Sequence, residues 1–210
     1  MDKRIAHLRK NDPILGDVIK KLGIHKFVEE ANYFKLPKRP DHFRALVRAI
    51  IGQQLSTKAA ATIADRFIKL FSPGGKKFPS PKDVLAIPAA KMRKAGLSRM
   101  KVSFIKDLSG KVLDKTVDLK KIHEWTDEEV IEHLVRVKGI GIWTAEMFLL
   151  FSLRREDIFS YGDLGLRNAI QKIYKLKNPP TLAQAEKITA KWKPYRSLGS
   201  RYLWASLDTE

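Results

Sequence analysis

Run after run of this 210-residue chain sets its apolar residues at the 3.6-residue spacing of a helix, and clear strand alternation is missing. Phe43, Leu46, Val47, Ile50 and Ile51 fall at i, i+3, i+4, i+7 and i+8, behind a plausible start at Pro40-Asp41. Gly52-Gln53-Gln54-Leu55 interrupts that stripe. Ser56 or Thr57 then caps a second helix carrying Ala59, Ala60, Ile63, Phe67 and Leu70. Ser72 to Lys77 reads as a loop, Ser80-Pro81 as a short helix start, Ala89 to Lys94 as another helix, and Met100 to Leu113 as a longer one. Thr126 with Glu129 and Thr181 with Gln184 have the spacing of capping boxes, each ahead of an apolar stripe. Asn178-Pro179-Pro180 breaks the chain, and Pro194 marks a kink or a new start before a last helix over Tyr195 to Leu207. The patterns predict an all-α fold with short loops.

Charge narrows the partners. Lys and Arg total 41 against 23 Asp and Glu, a net charge of +18. So positive a chain points to a polyanion, either nucleic acid or an anionic membrane surface. Hydrophobic residues at 44% give enough material for a sizeable core. The chain has no cysteine, which excludes disulfides, Cys-ligated zinc, an iron–sulfur cluster and a cysteine nucleophile. The five His residues show no metal-ligand spacing, so no metal site is expected. No stretch has the length of a membrane span or a signal sequence. We therefore expect a soluble intracellular protein, cytoplasmic or nucleoid-associated in a prokaryote and nuclear in a eukaryote.

One turn carries a candidate chemistry. The helix ahead of Lys138-Gly139-Ile140-Gly141 cannot pass cheaply through two glycines. The next helix begins near Trp143 and Thr144, so its first N–H groups point back at the turn. Backbone donors of this kind bind a phosphate oxygen without reading a base, and Arg136 and Lys138 add charge. An ordinary helix–helix turn would also end in glycine.

Val137-Lys138-Gly139-Ile140-Gly141-Ile142-Trp143-Thr144-Ala145 resembles the helix–hairpin–helix of base-excision DNA glycosylases. Phe159-Ser160-Tyr161-Gly162-Asp163-Leu164-Gly165-Leu166-Arg167 is similar to the loop and Asp that complete the HhH-GPD signature. Ile50 to Ala60 and Trp192 to Ser197 resemble the AlkA-type 3-methyladenine DNA glycosylases, and the likeness runs from about Asp41 to Trp204. The resemblance implies a compact, two-lobed monomer. One helical lobe, 42–155, would hold the hairpin, and a second, 1–41 plus 156–210, would come from both termini, with the active-site cleft between them.

It also implies roles. Asp163 would stabilise the oxocarbenium character of the sugar and orient or deprotonate a water. An N-cap is the plain alternative, and the two roles are compatible. Trp143 stands where the lyases of the superfamily look to carry a lysine, so strand cleavage by Schiff-base chemistry is not expected. Its π face suits a cationic alkylated purine, although a core position suits a tryptophan equally. Trp204, Tyr161 and Ser56 are further pocket candidates, with capping the more ordinary role for Ser56. Gln54 would enter the minor groove and fill the space of an extruded base. Lys138, Gly139, Gly141, Thr144 and Lys58 would contact double-stranded DNA carrying damaged bases. Lys94, Arg99 and Lys101 lie near loops that could follow a phosphate track. No cofactor is required, and a monovalent cation on backbone carbonyls at the hairpin would fit the family.

Overall fold

The computed structural model describes residues 2–23, 27 and 40–207. Among these, every regular element is a helix. No helix of the described residues is long and apolar enough to cross a membrane. The chain divides into two compact units, residues 40–148 and residues 1–39 with 149–210.

The unit of residues 40–148 begins with α3 (His42–Gly52), after α1 (Lys3–Asn11) and α2 (Pro13–Leu22) of the other unit. Asp41 caps α3 by accepting from Arg44 N at 2.9 Å, and the stripe Phe43, Leu46, Val47, Ile50, Ile51 is buried as its spacing predicts. Ser56 caps α4 (Thr57–Lys69). α5 (Pro81–Ala86) starts at a capping box of Ser80 and Asp83 with Pro81 in its first turn. α6 (Ala89–Lys94) and α7 (Arg99–Leu113) follow, then α8 (Asp127–Val135) behind the Thr126–Glu129 box. α7 packs on α3, α5 and α6, and α3 packs on α4. Met92, Ile105, Leu108, Val130 and Leu134 are fully buried in this unit. α9 (Ile142–Phe151) opens at the hairpin, and the unit boundary falls within it.

The other unit joins both ends of the chain. α1 (Lys3–Asn11) and α2 (Pro13–Leu22) pack on each other, and α2 lies against α12 (Arg196–Leu207). Between them in sequence come α10 (Leu164–Ile173) and α11 (Leu182–Thr189), the latter behind the Thr181–Gln184 box. Asp12 explains why the termini meet. Buried, it caps α2 through Leu15 N, and its other oxygen accepts from Tyr174 Oη at 2.5 Å and Trp192 Nε1 at 2.9 Å. The core consists of Ile5, Leu8, Leu15, Ile19, Phe159, Leu166, Ile170, Trp192, Leu198 and Tyr202, among others.

Three details differ from the sequence reading. Residues 149–155 fall in the unit of the termini, although the lobe expected for the hairpin ran to 155. The reason is local: Phe151 stacks on Trp204, and Ser197 Oγ donates to Arg155 O at 2.6 Å. α9 begins at Ile142 and not at Thr144, since its first bond runs from Ala145 N to Gly141 O at 3.0 Å. Pro194 follows a 3₁₀ turn at Ala190–Trp192, and the last helix starts at Arg196 instead of Tyr195. Residues 24–26 and 28–39 of the expected second lobe lie outside the described residues.

Candidate active site and nucleic-acid interface

The candidate residues fall in two groups, one in each unit. In the hairpin unit, the turn after α8 closes with Val137 N on Leu134 O and Ile140 N on Val137 O, both at 3.0 Å. Ile140 is the buried anchor. Gly139 has φ +79°, and a Cβ there would sit 2.1 Å from the Phe104 ring. Both facts exclude any larger residue. Gly141 is different. A Cβ there would meet nothing within 4 Å, so the fold itself does not demand a glycine at that exposed position. The space lies open to a partner. Asp107 fixes the turn by accepting from Lys138 N at 2.8 Å. Burial opposes its ionisation, but the Lys111 ammonium at 2.6 Å and the Lys138 N–H together hold its carboxyl below the usual range. Lys138 is exposed beside the turn. Arg136 is also exposed but pairs with Glu132 at 2.6 Å.

The α3–α4 turn reaches the hairpin directly. Gln53 Nε2 donates to Gly139 O at 2.8 Å. The next residue, Gln54, is exposed and sits in the left-handed region at φ +57°. A cavity of about 940 Å³ opens beside these turns, bordered by Gln53, Gln54, Met100, Phe104, Trp143 and Met147. Trp143 is 50% exposed and lines it, which settles its core alternative against the core. Thr144 also lines it but is buried. Ser56 does not border it. Its Oγ accepts from Ala59 N at 3.3 Å, so the cap is the role the structure shows. Lys58 stands exposed in the first turn of α4. Lys101, expected on a phosphate track, instead folds inward onto the carbonyls of Ile51 and Gln53, because those carbonyls end α3 without helical partners.

In the unit of the termini, Asp163 caps α10 and is 8% exposed. Its Oδ1 accepts from Leu166 N at 2.8 Å and from Trp204 Nε1 at 3.0 Å. Gly165 makes the second contact possible, since a Cβ there would lie 3.1 Å from Asp163 Oδ1 and 3.2 Å from the Trp204 ring. Trp204 was expected to bind substrate; the structure makes it a donor to the carboxylate, stacked on Phe151 with centroids 5.9 Å apart. Tyr161 packs on Phe159, and its hydroxyl lies 3.1 Å from Thr189 Oγ1 and accepts from Arg196 at 3.4 Å. Arg196 also grips Asp157 through Nε at 2.8 Å, and Ser197 Oγ accepts from Ile158 N. Thus α12 holds the 157–163 loop at its first turn and the carboxylate two turns on. Sequence reasoning missed Gln53, Asp107, Arg196 and the Trp204 N–H. Arg196 and Gln53 lay inside quoted motifs, but no local spacing marks their partners.

Among the described residues no group of three or more His, Cys, Asp or Glu could hold a metal ion.

Comparison with known proteins adds a family. The profile of the "HhH-GPD superfamily base excision DNA repair protein" matches residues 47–194. DNA-3-methyladenine glycosylase 1 of Schizosaccharomyces pombe is 33% identical over 168 residues, covering 80% of this chain and 73% of its own length. The alkylbase DNA glycosidase-like protein mag2 of the same yeast is 30% identical over 94% of this chain and 90% of its own length. The Bacillus subtilis protein YfjP is also 30% identical, but the chain spans only 59% of its length. Among solved structures, the S. pombe 3-methyladenine DNA glycosylase in complex with abasic DNA superposes with a TM-score of 0.81 at 30% identity, covering 99% of this chain and 97% of that one. A DNA-3-methyladenine glycosidase from Bacillus halodurans gives 0.82 at 30% identity, covering 99% and 90%.

Proposed function

This chain belongs to the HhH-GPD superfamily of base excision DNA repair proteins, and on that premise we propose that it is a monofunctional DNA glycosylase acting on alkylated purines of the 3-methyladenine kind. The observation that carries the reading is the Asp163 carboxylate, buried and oriented by two N–H donors on one oxygen. A carboxylate held this way stabilises positive charge developing at C1′ and directs a water to it. Low local dielectric strengthens that interaction well beyond its value in water.

The hairpin unit supplies the grip. Gly139, open Gly141 and the first turn of α9 present backbone donors to a phosphate, and Lys138 and Lys58 add charge. Gln54 borders the cavity and is exposed, and it would fill a duplex after a base has left it. Trp143 offers a half-exposed indole to an electron-poor purine. It also puts no amine where a Schiff base would form, so the product is an intact strand with an abasic site.

The reaction needs no cofactor. A monovalent cation at the hairpin would rest on carbonyls such as Val137 O and Gly139 O. Each already accepts one hydrogen bond and retains a second lone pair, so oxygen donors suited to such an ion are present. Bound there, it would add positive charge near a phosphate. We propose that the protein acts as a monomer inside the cell, where its DNA substrate is.

The test is release of base from methylated duplex DNA. Free 3-methyladenine or 7-methylguanine, with no covalent adduct on borohydride treatment, is the expected result. Intact DNA binding with no base released would instead make the chain a non-catalytic binding module.

A further inference from the structure

Two lysines of α7 donate their ammonium groups to backbone carbonyls at the ends of neighbouring helices. Lys106 Nζ donates to Leu85 O and Ile87 O, at 3.1 and 2.9 Å, and closes the end of α5. Lys101 Nζ does the same for α3, donating to Ile51 O at 2.8 Å and Gln53 O at 2.7 Å. A cation at a helix C-terminus meets both unpaired carbonyls and the negative end of the helix dipole. Desolvation lowers the Lys101 pKa, as expected for an ammonium partly withdrawn from water.

Gln54 comes directly after those carbonyls in the chain. A glutamine at φ +57° occupies backbone space that L-residues rarely adopt, so the surroundings must hold it there. Two straps do so. Lys101 holds the carbonyl of Gln53 from the α7 side, and the Gln53 side chain holds Gly139 O from the hairpin side. The Gln54 turn is therefore tied to the same backbone that grips phosphate. With two of its three donors spent on carbonyls, Lys101 is not placed as a phosphate ligand.

We propose that Lys101 is a positioning residue for base extrusion: with Gln53, it holds the Gln54 turn preformed in the shape that enters the duplex. The proposal rests on the glycosylase reading. A preformed plug matters most when extrusion is costly, and the cost is highest for a base still paired.

The experiment compares Lys101→Met with the unmodified protein on two duplexes, each carrying one 7-methylguanine, paired with cytosine or facing an abasic site. Lys101→Met should lower single-turnover excision about tenfold on the paired lesion and less than about twofold on the unpaired one, because only the first needs the plug. Gln54→Ala should give the same split. Lys101→Arg, which keeps a donor for the carbonyls, should recover most of the loss. The slope of log affinity against log salt should not change, whereas a phosphate contact would reduce it by about one. Equal losses on both duplexes, no loss, or a reduced salt slope would overturn the proposal. If Lys101→Met does not fold by thermal melting, Gln53→Met removes the other strap and must show the same split. A 2-aminopurine beside the lesion reports extrusion without excision. Failure of the glycosylase reading (no base released by the unmodified protein) is thus distinct from failure of this one, which is a full fluorescence gain in Lys101→Met.

Discussion

Asp163 caps α10, and the proposed chemistry would give the same side chain a second job. Its Oδ1 caps α10, a role that asparagine performs about as well. Asp163→Asn should therefore leave the melting temperature and the affinity for abasic DNA nearly unchanged, while excision falls to background in a single-turnover assay. A variant that still excises would remove the carboxylate from the mechanism. Trp204 allows a finer test. Trp204→Phe preserves the stack on Phe151 but deletes the N–H that bonds Asp163. A hydrogen bond to a charged group is worth about 1.5–3 kcal/mol, so a roughly tenfold loss in kcat is expected, with little change in KM. An unchanged kcat would return Trp204 to being an ordinary packing residue. Asp163 was legible as a candidate because the segment around it resembles a family signature; its local spacing alone said only N-cap. The Trp204 N–H was not, because nothing in a sequence says where an indole donor points across 41 residues.

At the scale of elements, the hairpin separates two glycines that look alike in sequence. Gly139→Ala forces a Cβ into the Phe104 ring and a left-handed backbone on an L-residue, so it should destabilise the fold by about 2 kcal/mol or more in urea melts. Gly141→Ala meets no atom of the protein. It should keep the wild-type melting temperature and weaken DNA binding, because the new methyl group stands where the phosphate backbone would approach. If Gly141→Ala bound DNA normally, the hairpin would not be the grip. Helix boundaries here were largely readable. Ser80, Thr126 and Thr181 each accept from the N–H three residues on, a contact that needs no tertiary information.

For the whole molecule, a pair of histidines, His42 buried and His123 exposed, sets a dependence on pH. His42 Nε2 lies 2.7 Å from His123 Nε2, and the His42 ring packs on Phe148. Burial, then the neighbouring His123, lowers His42 from 6.5 to about 4, with Asp41 opposing. Between those values the unfolded chain binds a proton that the folded one does not. The stabilisation is complete above about pH 6.5 and is lost as pH falls toward 4. Thermal melts should drop through that window, and His42→Gln should flatten the dependence. A wild-type curve level from pH 7 to 4.5 would contradict it. The net charge of +18 acts at the same scale, yet Lys101 and Lys106 each spend two donors on backbone carbonyls.

The sequence by itself determined most of the helices between α3 and α9, with α11 and α12, several of their caps and the hairpin turn, because each is written in residues no more than a few turns apart; α1, α2 and α10 were not read from it, and the carboxylate loop was legible through the family resemblance. Tertiary structure alone decided which groups face one another. Asp12 meets Tyr174 and Trp192, 162 and 180 residues away. Lys101 reaches the end of α3, and Gln53 reaches the hairpin, 86 residues on. Such partners depend on how helices pack, and a helical period states which face is apolar without stating what that face will meet.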